Sequence, residues 1–486
     1  MNFDRRRLFA ALAGAVGIAS AGSAPPALAR RWSERRRREH ERPRAAERAP
    51  APEPTANSLT IGNVAPRPLI DGSTLGLRVN AVEDQSRAFQ HAIATAAAAG
   101  AVLQLTPGFY RAGGLKLPPH AILAGVAGAT RIVMSAGPPL MSATGSDHIG
   151  ISGLILDGGS IPLRGRQGLL DLAHGRAVRI HDCEIVNAAG NGISLDGIDG
   201  EVFGNIVSAT GAAIFSLDAL ALKISGNHVR GAGNNGILVW RSTAGDDGTL
   251  VVDNRIENVA NTSGGSGEYG NAINVFRADN VIVRGNRIRN AAFSAVRGNA
   301  ASNLQIVGNT CTGLGEVALY AEFGFEGALI ANNIVDGAAI GVSVTNFNQG
   351  GRLALVQGNL IRNLVAKRPP GTDPNDAAGI GIGVEADTLV SGNVIENAPH
   401  AGIAAGWGPY LRDVAISSNI VSNADYGITV SVAPGAGTGL VADNLISGAR
   451  RGAIVGMEWG KPVTGDLSGG GGERYAQLSI SGNRVR

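Results

Sequence analysis

Large rings and thiols are both scarce in this chain. Phe, Trp and Tyr make up 4% of its 486 residues, and there are two cysteines, Cys183 and Cys311. So few aromatics suit a narrow interior lined by Ile, Val, Leu and Ala rather than a thick packed core. A helical period of 3.6 residues is missing from the long C-terminal part, which excludes a stack of helices there. No His/Cys spacing suggests a metal, and neither a metal nor a cofactor is expected. The apolar stretch within residues 1–29 is too short and too rich in Ala and Gly to span a membrane stably.

Glycine is abundant, at 71 residues, and one asparagine recurs. Asn205, Asn227, Asn254, Asn286, Asn309, Asn333, Asn359, Asn393, Asn419, Asn444 and Asn483 are each followed two residues later by Ile, Val or Cys. Most follow Gly, and the rest follow Asn, Ser or Asp. Their spacing runs from 22 to 39 residues, short where connections are tight and long where something is inserted. Each unit reads strand, Asn turn, strand, then Gly and a third strand, and none could bury its apolar face alone. Stacking in register lets each backbone pair with the coil above and below, and lets each Asn amide bond the next. Leu154 and Cys183 occupy the same slot in two earlier coils, giving about thirteen coils and a length of roughly 60 Å. Cys183 and Cys311 then stand five coils apart, roughly 24 Å, beyond the reach of a disulfide. Both are expected as buried free thiols.

This pattern resembles the right-handed parallel β-helix proteins of the pectate-lyase-like superfamily, and the resemblance covers nearly everything after residue 70. The expected fold is an all-β solenoid, a single-stranded right-handed parallel β-helix. Its start is similar too: residues 84–99 read as an N-capped amphipathic helix with Phe89, Ala92, Ile93 and Ala96 on one face, and in that superfamily such a helix plugs the first end. At the other end Ile480 to Arg486 fall within a repeat with no capping helix. The expectation there is cover by the segment Met457–Gln477, or an oligomer formed through the last coil.

Residues 1–29 resemble a twin-arginine signal peptide, with Arg5-Arg6, an Ala/Gly-rich segment and Ala27-Leu28-Ala29 as a cleavage site. The expected partner is the twin-arginine export machinery, and the expected location the periplasm or the exterior. Residues 30–56, rich in Arg, Glu and Pro, read as a disordered linker, and 57–486 as the β-helix domain. Twelve of the 42 basic residues and six of the 39 acidic ones precede residue 57, leaving 30 against 33 in the repeat domain. A nucleic-acid partner is therefore not expected. More narrowly, the combination of Arg5-Arg6, linker and Gly-Asn-x-Ile repeats resembles twin-arginine-translocated β-helix repeat proteins. That likeness carries a fold and an export route, but no activity.

Insertions in solenoids gather over one face, often the binding face. Here Asn261–Gly270 and Ala366–Ala378 fall before the Gly-led strand, and Arg241–Gly248, Asn346–Gly351 and Met457–Gln477 follow it. The resemblance implies a saccharide cleft on this sheet. Alternation along the strand sends out one column reading Ser194, Leu238, Asn274, Arg297, Tyr320, Ser343, Gly383 and Ala404. A second reads Asp196, Trp240, Phe276, Asn299, Glu322, Thr345 and Glu385, with Arg241, Arg277 and Asn346 one step further. Arg297, Tyr320, Glu322 and Glu385 are the catalytic candidates, because Arg can hold a uronate carboxylate and Glu can move a proton. Trp240, Arg241, Asn274, Arg277, Asn299 and Asn346 are the candidate substrate contacts. Arg297 and Glu322 are expected to pair across a solvent-facing groove, where losing Arg297 would hardly alter stability.

Motifs of the related enzymes are incomplete. The clustered aspartates and Gly-His-Gly of polygalacturonase-like hydrolases are missing, and Asp373-Pro374 is followed by Asn375 where mannuronan epimerases have His. The expected function is therefore binding of a polysaccharide, acidic by preference. Lyase, hydrolase or epimerase action is the first alternative, and a non-catalytic structural role in the envelope the second.

Overall fold

The computed structural model describes residues 67–486, apart from 136, 266, 371 and 373–375. The expected signal (1–29), the linker (30–56) and residues 57–66 lie outside the described residues, as does Asp373-Pro374-Asn375.

Three short strands recur in each coil, as in Ile282–Arg284, Arg287–Ala291 and Val296–Asn299. The first strand of every coil joins one sixteen-stranded sheet, and the other two rows make up a 28-stranded sheet. Strands pair in parallel with the same strand of the next coil, for instance Ile282 with Gln305 and Val296 with Leu319. The chain is a right-handed parallel β-helix. Thirteen strands of the first sheet belong to the slot-bearing coils, and Leu69–Asp71, Val102–Gln104 and Ile122–Ala124 stack ahead of them. The first sheet therefore has sixteen strands, and the complete turns number about fourteen, in line with the expected thirteen or so.

Inside, one continuous apolar column runs from the first coils to the last, dominated by Ile, Val, Leu and Ala. At one bend the eleven Asn form an unbroken ladder. Asn309 shows the bonding: its Nδ2 donates to Asn333 Oδ1 at 3.0 Å and to the Val283 carbonyl at 3.0 Å. Its Oδ1 accepts from both the backbone N–H and Nδ2 of Asn286, each at 3.0 Å. The buried amide is thus fully bonded, which a buried polar group requires. The ladder begins where Cys183 N–H donates to Asn205 Oδ1 at 3.0 Å. Both cysteines are buried and free, and burial pushes their thiols up to about 12.

A second, exposed ladder at another bend was not foreseen. Asn290 donates to Asn258, Asn397 to Asn363 and Asn423 to Asn397, all with left-handed φ near 55°. Asn tolerates that conformation better than other non-glycine residues.

Helix α1 spans Ser86–Ala98 and buries the expected Phe89, Ala92, Ile93 and Ala96. It starts two residues later than Asp84, whose Oδ1 instead accepts from Ser86 N–H at 3.0 Å. At the other end Lys461–Asp466 pairs antiparallel with Gly452–Glu458, and Leu467 turns inward, so Met457–Gln477 covers part of the last coils. No helix among the described residues is long and apolar enough to cross a membrane.

Replacing Asn309 by Ala strands the donors of Asn286 in the interior and should cost roughly 2–4 kcal/mol. Asn483→Ala, at the wetter end where water can substitute, should cost under about 1 kcal/mol. Urea unfolding of both variants checks this, and equal losses would contradict a ladder whose weight lies in burial.

Candidate functional site

Strand register sets the outward face of the third row. Successive partners run Ser194, Phe215, Leu238, Asn274, Arg297, Tyr320, Ser343, Gly383 and Ala404. This is the expected column with one addition. Phe215 belongs to the coil of Ala212–Leu217, where Ala212-Ala213-Ile214 stands in place of the usual Gly-Ile start. Two residues on, Asp196, Leu217, Trp240, Phe276, Asn299 and Glu322 are likewise partnered.

The middle of this face is sealed, which corrects the expectation of a solvent-facing groove. Arg297 is 7% exposed, Glu316 3% and Glu322 2%. Arg297 grips Glu322 with two bonds, Nε to Oε1 at 2.6 Å and Nη2 to Oε2 at 3.0 Å, and its Nη1 reaches Glu316 Oε2 at 3.3 Å. Arg368, from the insertion Ala366–Ala378, bonds Glu316 Oε1 at 2.7 Å and lies 3.5 Å from Asp376. Asn299 Nδ2 donates to Glu322 Oε1 at 3.0 Å, and the Arg297 guanidinium lies 5.0 Å from the Tyr320 ring centre. From the other insertion, Gly267 O accepts from Asn274 Nδ2 at 3.0 Å, and a methyl at Gly267 would stand 3.9 Å from Arg297 Nη2. Gly267 from one insertion and Arg368 and Asp376 from the other thus lie against the ion cluster.

Charges confined this way shift. Burial opposes the Arg297 charge, but Glu322 and Glu316 outweigh it and raise its pKa above the ordinary guanidinium value. Burial pushes the Glu316 carboxyl up against the pull of Arg297 and Arg368, and pushes the Tyr320 phenol up as well. Glu385, two coils beyond Glu322, is occupied elsewhere: its Oε2 accepts from Phe347 N–H at 2.7 Å. Asn346 Oδ1 accepts from Phe323 N–H at 3.1 Å and fixes the same turn. The structure therefore gathers Arg297, Tyr320, Glu322 and Asn299, and leaves Glu385 and Asn346 outside that group.

Toward the N-terminal coils the face is partly open, with Phe215 and Leu238 buried and Trp240 and Phe276 half-exposed above them. Trp240 packs edge to face between Phe215 and Phe276, with ring centres 5.6 Å away on each side. The Arg166 guanidinium lies 5.3 Å from the Trp240 ring and 5.6 Å from Phe215, and Arg277 lies 4.8 Å from Phe276. Trp240 Nε1 donates to Asn274 Oδ1 at 3.3 Å, so its indole is oriented by a buried amide. Arg241 Nη1 lies 3.9 Å from the buried Asp247 carboxylate, whose pKa burial raises. Trp240 and Phe276 are half-buried, while Arg166 and Arg277 are exposed. Among the described residues no group of three or more His, Cys, Asp or Glu is placed to hold a metal ion.

Sequence reading missed Phe215, Arg166, Glu316 and Arg368. Phe215 had a signal, its place one coil before Leu238. The Arg residues sit in loops whose return over the sheet no strand periodicity reveals.

A family model for a right-handed β-helix region matches residues 242–411. No curated protein matches the sequence. Among solved structures, the N-terminal fragment of the bacteriophage Phi29 gene product 12 is similar, with a TM-score of 0.51 and 18% identity, over 86% of this chain and 70% of that one. The catalytic unit of the thermostable GH87 alpha-1,3-glucanase from Streptomyces thermodiastaticus aligns at 0.49 and 16%, over 86% and 69%. The A-module of the mannuronan C-5 epimerase AlgE6 from Azotobacter vinelandii aligns at 0.37 and 15%, over 86% and 99%. At 18% identity the likeness to the Phi29 protein is one of fold alone.

The sealed cluster makes Arg297 a stability residue. Arg297→Ala leaves the buried Glu322 without its cation and Glu316 with Arg368 alone, and should cost roughly 3–5 kcal/mol, in place of the negligible change expected for a surface pair. Thermal and urea unfolding check this. A variant as stable as the parent would mean that the insertions do not exclude water.

Proposed function

We propose that the protein binds polysaccharide, preferentially acidic chains, on the open part of the third-row face. The observation that carries this reading is the half-buried pair Trp240 and Phe276, backed by the buried Phe215 and flanked by Arg166 and Arg277. A sugar ring has an apolar face that stacks on an indole, and a uronate carboxylate is matched by a guanidinium fork. Attraction to an acidic chain would be local, since the repeat domain carries slightly more acid than base. Salt should weaken binding only moderately.

Binding is favoured over catalysis by the state of the carboxylates. A glycosidase needs two acids free to reach one glycosidic bond. Glu322 is held by Arg297 and Asn299, and Glu385 by the Phe347 amide. Lyase, hydrolase or epimerase chemistry on Arg297, Tyr320 and Glu322 would first require the two insertions to part.

The test is calorimetric titration of the full chain with oligogalacturonates. Trp240→Ala should weaken binding about tenfold, ~1.4 kcal/mol, with a lowered unfolding midpoint but a folded solenoid at the titration temperature. Equal affinities would remove the strip as the site. Incubation with the same oligomers, followed by absorbance near 235 nm and reducing ends, separates binding from turnover. We further propose that the Arg5-Arg6 pair exports the protein to where such polymers lie. Arg5→Lys with Arg6→Lys should keep it in the cytoplasm on fractionation, and unaltered export would count against that route.

A further inference from the structure

A second aromatic cluster stands at the far end of the same rim. Trp407 follows the strand Val394–Ala405, and Trp459 forms the tip between Gly452–Glu458 and Lys461–Asp466. Their ring centres are 6.0 Å apart at 82°, and Tyr410 lies 6.4 Å from Trp459 at 81°. Each indole rests on the other's glycine. A methyl at Gly408 would meet Trp459 Cη2 at 2.5 Å, and one at Gly460 would meet Trp407 Cζ3 at 2.8 Å. A turn bonded from Trp407 N–H to the Tyr410 carbonyl and back, at 3.3 and 3.1 Å, holds the arrangement. The rings are thus locked, yet Trp407 is 37% exposed and Trp459 53%. Large apolar side chains fixed in place and left in water mark interaction sites more often than isolated exposed residues do.

Register puts this cluster in line with the first. Val239, Val275, Gly298, Ala321, Val344, Val384 and Ala405 are successive partners across the coils. Trp240 lies one residue past the start of that column and Trp407 two past its end. Six coil steps separate them, roughly 29 Å along the axis. Between them the rim carries Phe347, with the Arg412 guanidinium 4.3 Å from its ring centre.

We infer that Trp407 and Trp459 form a second saccharide platform, and that one polysaccharide chain lying along the axis is held at both platforms at once. This rests on the binding reading of the Trp240 strip and extends it to a chain-length requirement. The occupant is taken as a saccharide rather than a lipid surface because Glu458 and Lys461 flank Trp459 at the tip. Insertion into an apolar phase would strip water from both charges. A chain bridging two platforms gains because its second contact is intramolecular.

The test uses the full chain and galacturonate oligomers of increasing length, up to the polymer, in calorimetric titrations. Wild type should show affinity rising at least about tenfold once the chain spans both platforms. Trp459→Ala should abolish that rise and remove one of two short-oligomer sites from the stoichiometry, while leaving short-oligomer affinity at the Trp240 strip unchanged. An affinity that does not depend on length in wild type overturns the inference without touching the Trp240 reading. So does a Trp459→Ala variant that keeps the rise. Loss of the Trp240 reading would appear separately, as short oligomers binding Trp240→Ala and wild type alike. In a parallel arm, co-sedimentation with phosphatidylglycerol vesicles that depends on Trp459 would reassign the platform to a membrane surface and overturn the saccharide assignment.

Discussion

Coil-to-coil hydrogen bonding is the constraint from which everything else in this molecule follows. A single coil has no core of its own and leaves its backbone donors and acceptors unpaired, so each exists only through its neighbours. The bend is where this is hardest to satisfy, because polar groups there face the interior. An Asn side chain solves the problem: it is long enough to reach both the previous coil's carbonyl and the next Asn. Asn309, Asn333 and Asn359 repeat the same set of bonds within a few tenths of an ångström. Identical bends impose identical register. That is why outward side chains from distant parts of the sequence fall into straight columns.

The columns supply positions, and the insertions decide what those positions become. Where Gly267 and Arg368 come back over the sheet from their insertions, Arg297, Glu322 and Glu316 lose water and turn into a closed ion cluster. Such a cluster is strongly destabilising to break, yet contributes little net stability beyond a well-packed apolar patch. Away from those insertions, at Trp240 and Phe276, half-buried aromatic faces and exposed guanidinium groups remain available, with Phe215 buried beneath them. One sheet thus carries a sealed middle and a partly open flank.

Most of the fold was legible in the sequence because the ladder leaves a mark at each bend, and strand alternation then fixed the columns residue by residue. Exposure was not legible. Alternation tells which way Arg297 points, but not that Gly267 and Arg368 come back over it from loops of no fixed period. Arg166 was hidden for the same reason: it precedes its strand and reaches across two coils to the Trp240 ring. Trp407 and Trp459 lie 52 residues apart, and nothing local indicates that each will rest on the other's glycine.

Tryptophan emission reads the proposed binding of acidic polysaccharide along the aromatic rim directly. Of the four tryptophans, Trp240, Trp407 and Trp459 lie on that rim, so replacing Trp32 by Phe leaves only reporters of the face. Titration with polygalacturonate, polymannuronate and polyguluronate should, for at least one of them, shift the emission and shield it from acrylamide quenching in a saturable way. Emission and quenching unchanged by all three polymers would show that the rim does not bind acidic polysaccharide.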